Sequence, residues 1–274
     1  MKKNIKLILL LMAGISLWGK ELPFVIIIPS YNNERWCEKN LLSALQQHYE
    51  NYYIIYINDC STDQTYDIIK KLVNSHPRRD KVILINNSIR CGALENLYNA
   101  IHTCPDYSII VTLDGDDWLA HSFVLNRLNK EYSNPDVWMT YGSYLSWPSN
   151  TRDSWIHALP AQVVNSHAYR KYQWVTTHLR TFYAKLFKLI KKEDLLYNNL
   201  FFPMAGDLAF MFPMLEMAAN HSRYIEDILY IYNRNNPISD NMQRNKQREL
   251  EFEIRKRPPY NRIEVFLNDI VGVL

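Results

Sequence analysis

Four short apolar runs, separated by stretches of helical periodicity, constrain this chain more than any other feature: FVIII (Phe24 to Ile28), YYIIYIND (Tyr52 to Asp59), KVILINN (Lys81 to Asn87) and YSIIVTL (Tyr107 to Leu113). Continuous β-branched runs of this length suit strands buried on both faces of a parallel sheet. Pro29 is expected to end the first. Between the runs, Trp36, Leu41, Leu42 and Leu45 share one face of a helix expected over residues 34–48. A second helix is expected over 63–73, with Ser61, Thr62 or Asp63 capping it, and a third over 93–104. Strands alternating with single helices imply right-handed βαβ units, hence an α/β fold with a mostly parallel sheet. Ligands of such open sheets bind beyond the carboxyl ends of the strands. Polar residues collect at those ends here: Ser30, Tyr31 and Asn32, then Asn58 and Asp59, then Asp114 to Asp117.

The alternation decays after Trp118. A strand is expected over 136–147, loop to about His167, a helix over 178–190 (HLRTFYAKLFKLI), and a helix over 206–218 that Pro213 should kink. RYIEDILYIYNR (Arg223 to Arg234) alternates as a late strand. No internal repeat is present, so the second half extends one domain, residues 22–274. Residues 1–21 are set apart: Lys2, Lys3 and Lys6 precede an apolar stretch from Leu7 to Trp18. That stretch is shorter than the roughly 20 residues of a membrane span and reads as a signal peptide or short anchor. It favours membrane association or a secretory route, with the cytoplasm as the alternative.

The 31 Lys and Arg nearly balance 28 Asp and Glu, a net +3, which argues against nucleic acid as a partner. The basic stretch Arg244 to Arg257 is expected to be a solvated helix face. Cys37, Cys60, Cys91 and Cys104 form no CxxC pair and have no histidine at zinc spacing, so buried free thiols are expected.

The fourth run ends in DGDDW. Asp114, Asp116 and Asp117 crowd three carboxylates into four positions, where hard cations such as Mg2+ or Mn2+ find the oxygen ligands they prefer. Gly115 removes a side chain where a ligand must approach. The competing reading is an Asp-rich turn with Asp117 capping a helix from Ala120. The motif alone leaves both open.

Together, the PSYN turn, the NDCSTDQT turn, the glycine-containing helix start at Arg90 to Asn96, DGDDW and AGDLAF resemble family 2 glycosyltransferases, over roughly Phe24 to Tyr232. The resemblance implies a GT-A, Rossmann-like fold, with helices on both faces of a mostly parallel central sheet and a C-terminal acceptor-side extension. It implies metal-assisted transfer, with inversion, of a sugar from a nucleotide donor, a UDP-sugar, to a hydroxyl of a glycan, lipid or protein. Pro29, Tyr31 and Asn32 would line the nucleotide pocket, and Asp59 would hydrogen-bond the base. Arg90 would lie near the phosphates and Asp114 near the ribose. Asp116 would hold Mg2+ or Mn2+, and Asp207 would be the general base. The family often carries an acidic pair where this chain has Gly206-Asp207. His178 and Arg180 are further candidates for contact with diphosphate or acceptor, but a lone histidine beside apolar residues is more often a packing residue, and His178 stays outside the catalytic set. Trp118 and Trp174 are candidates for sugar stacking, with packing as the alternative for each. Rival functions are a catalytically silent nucleotide- or glycan-binding protein, or a sugar nucleotidyltransferase. The latter usually needs a glycine-rich phosphate loop, and PSYNNE contains no glycine.

Overall fold

The computed structural model describes residues 21–237, 244–264 and 266; the signal-like segment lies outside them, except Glu21. The first half alternates β1 (Phe24–Ser30), α1 (Cys37–Leu45), β2 (Tyr52–Asn58), α2 (Thr65–Ser75), β3 (Val82–Asn86), α3 (Ala93–Thr103) and β4 (Ile109–Thr112). There follow β5 (Trp118–Leu119), α4 (Val124–Tyr132), β6 (Met139–Trp147), α5 (Ala161–Asn165), β7 (Thr177–Tyr183) and α6 (Ala184–Lys188). The hairpin β8 (Leu196–Tyr197) and β9 (Leu200–Phe201) leads to α7 (Gly206–Ala218), β10 (Ser222–Asn233) and α8 (Arg244–Arg255). Eight strands form one sheet in the order β3-β2-β1-β4-β7-β6-β10-β5. Neighbours β3, β2, β1 and β4 run parallel, as do β6 and β10; β7 is antiparallel to both β4 and β6.

All seven residues of β1 and all four of β4 are buried, so both faces of the central strands are covered, as their apolar composition requires. One group of helices packs α1 against α2; another packs α3, α6 and α7 together. Pro29 does not end β1, which continues to Ser30. Ile27 accepts from Leu113 on the β4 side and Ser30 from Asp59 on the β2 side. Pro29, in phase with Ile27, therefore directs its missing N–H to where β4 pairing has already stopped, and no ladder bond is lost.

The expected helix over 178–190 is corrected. Its first part is β7, and only Ala184–Lys188 is helical. Leu179, Phe182, Tyr183, Leu186, Phe187 and Ile190 do follow a helical spacing, but the first three are buried because a strand covered on both faces buries every position, and only Leu186 and Phe187 lie on a helix. Pairing with β4 through Val111↔Thr181 and with β6 through Thr140↔Thr181 decides the conformation. In that register the buried Thr181 hydroxyl meets Thr140 at 2.6 Å and Tyr132 at 2.8 Å.

Smaller corrections follow the same logic of local contacts. α2 starts at Thr65, two residues late, and Asp63 rather than Ser61 or Thr62 receives the Thr65 N–H at 3.0 Å. No helix follows DGDD directly: Trp118–Leu119 pairs with β10 as a strand, so Asp117 caps nothing. Cys37 and Cys104 are buried, and burial pushes each thiol up to about 12. Cys60 and Cys91 are only half-buried, since both lie in loops beyond strand ends. α7 runs through Pro213. α8 buries Leu250 and Ile254 and exposes Arg248 and Glu249. Arg255 turns inward, donating to the Arg170 and Tyr172 carbonyls at 2.8 Å, so the expected solvated face holds only in part. Among the described residues, no helix is long and apolar enough to cross a membrane.

Candidate active site

The polar residues of the first half meet beyond the carboxyl ends of β1, β2 and β4. Because β7 runs antiparallel, its opening residues His178 and Arg180 lie at that same edge. The DGDD turn closes with the Asp117 N–H donating to the Asp114 carbonyl at 3.1 Å. Asn40, fully buried on α1, clamps it by donating to the Asp114 and Asp117 carbonyls at 2.8 and 2.7 Å. Gly115 presses on the end of β1. A Cβ there would lie 2.6 Å from both Cβ and Oγ of Ser30 and 2.8 Å from Asn33 Nδ2. Replacing Gly115 with Ala should therefore destabilise the fold by about 1–3 kcal/mol through overpacking. An unchanged urea midpoint would show that the turn has room to spare.

Asp114, Asp117 and His178 bring one ligand atom each to within 4.8 Å of one another. The His178 ring faces Asp114 Oδ2 from Nε2 at 3.2 Å, and its buried Nδ1 has no hydrogen-bond partner among the described residues. The surrounding protein raises the Asp114 carboxyl pKa, but the His178 hydrogen bond and charge, Arg180 and Tyr230 outweigh this and hold it below the usual range. Burial, reinforced by Arg180, lowers the His178 pKa against the pull of Asp114. Asp117 is pushed well up by burial, then by the charges of Asp116 and Asp114. Its oxygens accept from Tyr230 Oη at 2.6 Å and from the Asn233 N–H at 2.7 Å. Asp116 stands beside this group, its Oδ2 accepting from Asn236 Nδ2 at 2.7 Å and its carbonyl from Asn233 Nδ2 at 3.1 Å.

On the β1–β2 side, the Arg90 guanidinium lies 3.8 Å from the centre of the Tyr31 ring, so two nucleotide candidates form one cationic, aromatic surface. Asn32, in the left-handed region at φ 51°, ties this loop to the next: its Oδ1 accepts the Thr62 N–H at 2.8 Å. Asp59 is buried and already holds the β3–α3 loop, accepting from Asn87 Nδ2 and the N–H groups of Cys91 and Gly92 at 2.8–2.9 Å. Burial raises its pKa, but those bonds and Asn96 bring it below the usual value.

Asp207 lies in the first turn of α7, half-buried, with Oδ2 receiving a 2.7 Å bond from Arg180 Nη2. Its partner Arg180 stands two residues beyond His178 on β7, which links Asp207 to the Asp114–His178 pair. Trp118 offers no open face: the Lys39 ammonium covers it at 3.5 Å, and Trp147 meets it edge-on. Trp174 packs edge-on against Phe212.

The structure thus brings Asp114, His178, Arg180 and Asp207 to one side and Tyr31, Arg90 and Asp59 to the other. The sequence reading missed Tyr230, Asn233, Asn236 and Asn40. The alternation of β10 marked Tyr230 as a strand residue, but nothing local showed that this strand ends at the aspartates. Asn40 looked like an ordinary polar position on an amphipathic helix.

The family described as Glycosyl transferase family 2 matches residues 25–196. Among curated proteins, an uncharacterized glycosyltransferase of Haemophilus influenzae is 34% identical over 119 residues, 43% of this chain and 46% of that protein. The Escherichia coli protein named UDP-Glc:alpha-D-GlcNAc-diphosphoundecaprenol beta-1,3-glucosyltransferase WfaP is 31% identical over 119 residues, 43% of this chain and 45% of that protein. The chain spans less than half the length of these relatives. Staphylococcus aureus TarS 1–349, solved with UDP-GlcNAc, superposes with a TM-score of 0.60 at 16% identity, over 81% of this chain and 61% of that one. The mannosyltransferase PcManGT of Pyrobaculum calidifontis, solved with GDP-Man and Mn2+, gives 0.60 at 15% identity, over 94% and 74%. At these identities the likeness is one of fold, the GT-A architecture.

Proposed function

The chain belongs to glycosyl transferase family 2, and from that premise we propose that it moves a sugar from a nucleoside-diphosphate donor, a UDP-sugar, to an acceptor hydroxyl with inversion at the anomeric carbon. The observation that carries this reading is the convergence of Asp207 with the Asp114–His178 pair across Arg180, opposite the Tyr31–Arg90 surface. Tyr31 and Arg90 take the nucleotide, the ring against the base and the guanidinium toward phosphate. Arg180 fixes the direction of the Asp207 carboxylate. Asp207 then removes the acceptor hydroxyl's proton as its oxygen attacks the anomeric carbon, and the nucleoside diphosphate leaves from the opposite side. One displacement with no enzyme nucleophile inverts the centre.

The residues present suit a hard divalent cation, Mg2+ or Mn2+. Carboxylate oxygens and one imidazole converge, a buried ring nitrogen lacks a partner among the described residues, and burial, with the charges of Asp116 and Asp114 added, pushes the Asp117 carboxyl well up. Asp116, Asp114, Asp117 and His178 would hold it. When bound, it supplies charge stabilisation to the departing diphosphate. The retained carboxylates Asp114, Asp116 and Asp207 speak against a silent binding protein.

A panel of nucleotide sugars with Mn2+, scored by donor hydrolysis and thermal stabilisation, tests the reading. Uridine donors should raise the melting temperature, and chelation by EDTA should remove most of the hydrolysis. Indifference to every donor would leave only a silent fold.

A further inference from the structure

We propose that Tyr230 is the positioning residue that sets the spacing of the Asp114–Asp117–His178 group. Tyr230 is fully buried in β10, between Leu119 of β5 and Tyr144 of β6. It touches all three members. Its hydroxyl donates to Asp117 Oδ2 at 2.6 Å and accepts the Asp114 N–H at 3.3 Å. Its ring stacks on His178, centroids 4.4 Å apart and planes 11° from parallel.

A phenol hydroxyl has one proton to give. Committed to Asp117, it can meet Asp114 only as an acceptor, so the same atom spans both ends of the DGDD turn. Asn233, three residues further along β10, fixes the other Asp117 oxygen through its N–H at 2.7 Å. One strand therefore holds both oxygens of Asp117, while the ring of Tyr230 sets the plane of the imidazole. His178 reaches the group from β7 and the aspartates from the turn after β4. Tyr230 is the side chain these separate elements share. Ligands held from several elements need such a partner behind them to keep a cation's geometry, and losing one typically costs about 10- to 100-fold in metal affinity.

This inference rests on the metal reading above, and the experiment separates the two. Mn2+ binding to the full chain is followed by the paramagnetic resonance signal of free Mn2+, with and without UDP. Wild type, D114N, Y230F, D117N and Y230F/D117N are compared. Wild type should bind and D114N should lose binding; no binding by wild type, or none lost in D114N, would overturn the metal reading itself. Given that binding, Y230F keeps the ring against His178 but loses both hydrogen bonds, and should weaken Mn2+ affinity about 10- to 100-fold. The double variant should stay weaker than D117N, but by less than Y230F falls below wild type, because one of the two hydroxyl bonds lost in Y230F ends on that carboxylate and the other on Asp114. Wild-type affinity in Y230F overturns the proposal, as does a double variant that falls as far below D117N as Y230F falls below wild type. Y230F leaves a buried carboxylate short of a donor, whereas Y230F/D117N does not carry that charge. Where the single variant fails to fold, Y230F/D117N against D117N still decides through the bond to Asp114: equal Mn2+ affinities would overturn the proposal.

Discussion

Replacing Asp207 with asparagine should cut sugar transfer by about 100- to 10,000-fold and leave donor binding in place. That range corresponds to roughly 2.7–5.4 kcal/mol of activation free energy. The substitution is nearly isosteric. An asparagine carbonyl can still accept from Arg180, which holds Oδ2 at 2.7 Å, so the ion pair becomes a hydrogen bond and the helix start is preserved. What disappears is the group that accepts the hydroxyl proton. The donor surface formed by Tyr31 and Arg90 lies on the other side of the DGDD turn and should not sense the change. Turnover with an active donor, set beside calorimetric donor affinity, checks both halves of the expectation. If affinity falls and turnover of bound donor does not, Asp207 belongs to the nucleotide site and the proton goes elsewhere.

The second large effect lies away from the chemistry. Glu216 on α7 is fully buried, and Arg170, almost as buried, meets both its oxygens at 2.6 and 2.9 Å. Arg170 also donates to the Ile254 carbonyl at 2.7 Å, and Glu216 Oε2 accepts the Tyr260 N–H at 2.9 Å. This pair ties the segment from α8 onward to the helix that presents Asp207. Glu216→Ala should cost about 3–5 kcal/mol, since it strands a guanidinium in the core and frees the Tyr260 N–H. Replacing both partners with apolar residues of similar volume should recover most of that loss, because no uncompensated charge remains. Equilibrium unfolding in urea measures both. A loss below about 1 kcal/mol in Glu216→Ala, the scale of an exposed pair, would mean that water reaches Arg170 when its partner is gone.

The first half of the fold was legible because its signals are local. β1, β2, β3 and β4 appear as β-branched runs, and the helices between them carry their own apolar stripes. The polar residues at the strand ends follow from the sheet rule, so Tyr31, Asp59 and Asp114 are candidates without a structure, while Arg90 comes only from the family resemblance. β7 was misread because its apolar spacing satisfies a helix as well as a doubly buried strand, and only the edges offered by β4 and β6 separate the two. That error also concealed that His178 meets Asp114 and Arg180 meets Asp207.

What the sequence by itself determined is the chemistry available: carboxylates crowded at a strand end and an acid at the start of an apolar helix. These depend on residue type and near neighbours, which a linear reading contains. Gly115 reads there as room for a ligand, and the structure gives that room to Ser30 and Asn33 instead. The tertiary structure alone decided which groups meet. Asp117 is turned inward to Tyr230 and Asn233 rather than toward a following helix. Asp207 is paired to an arginine 27 positions before it, and His178 is carried to the aspartates by β7, which runs against both its neighbours. Such contacts join residues far apart in the chain, and they are set by strand order and direction, which local periodicity does not encode.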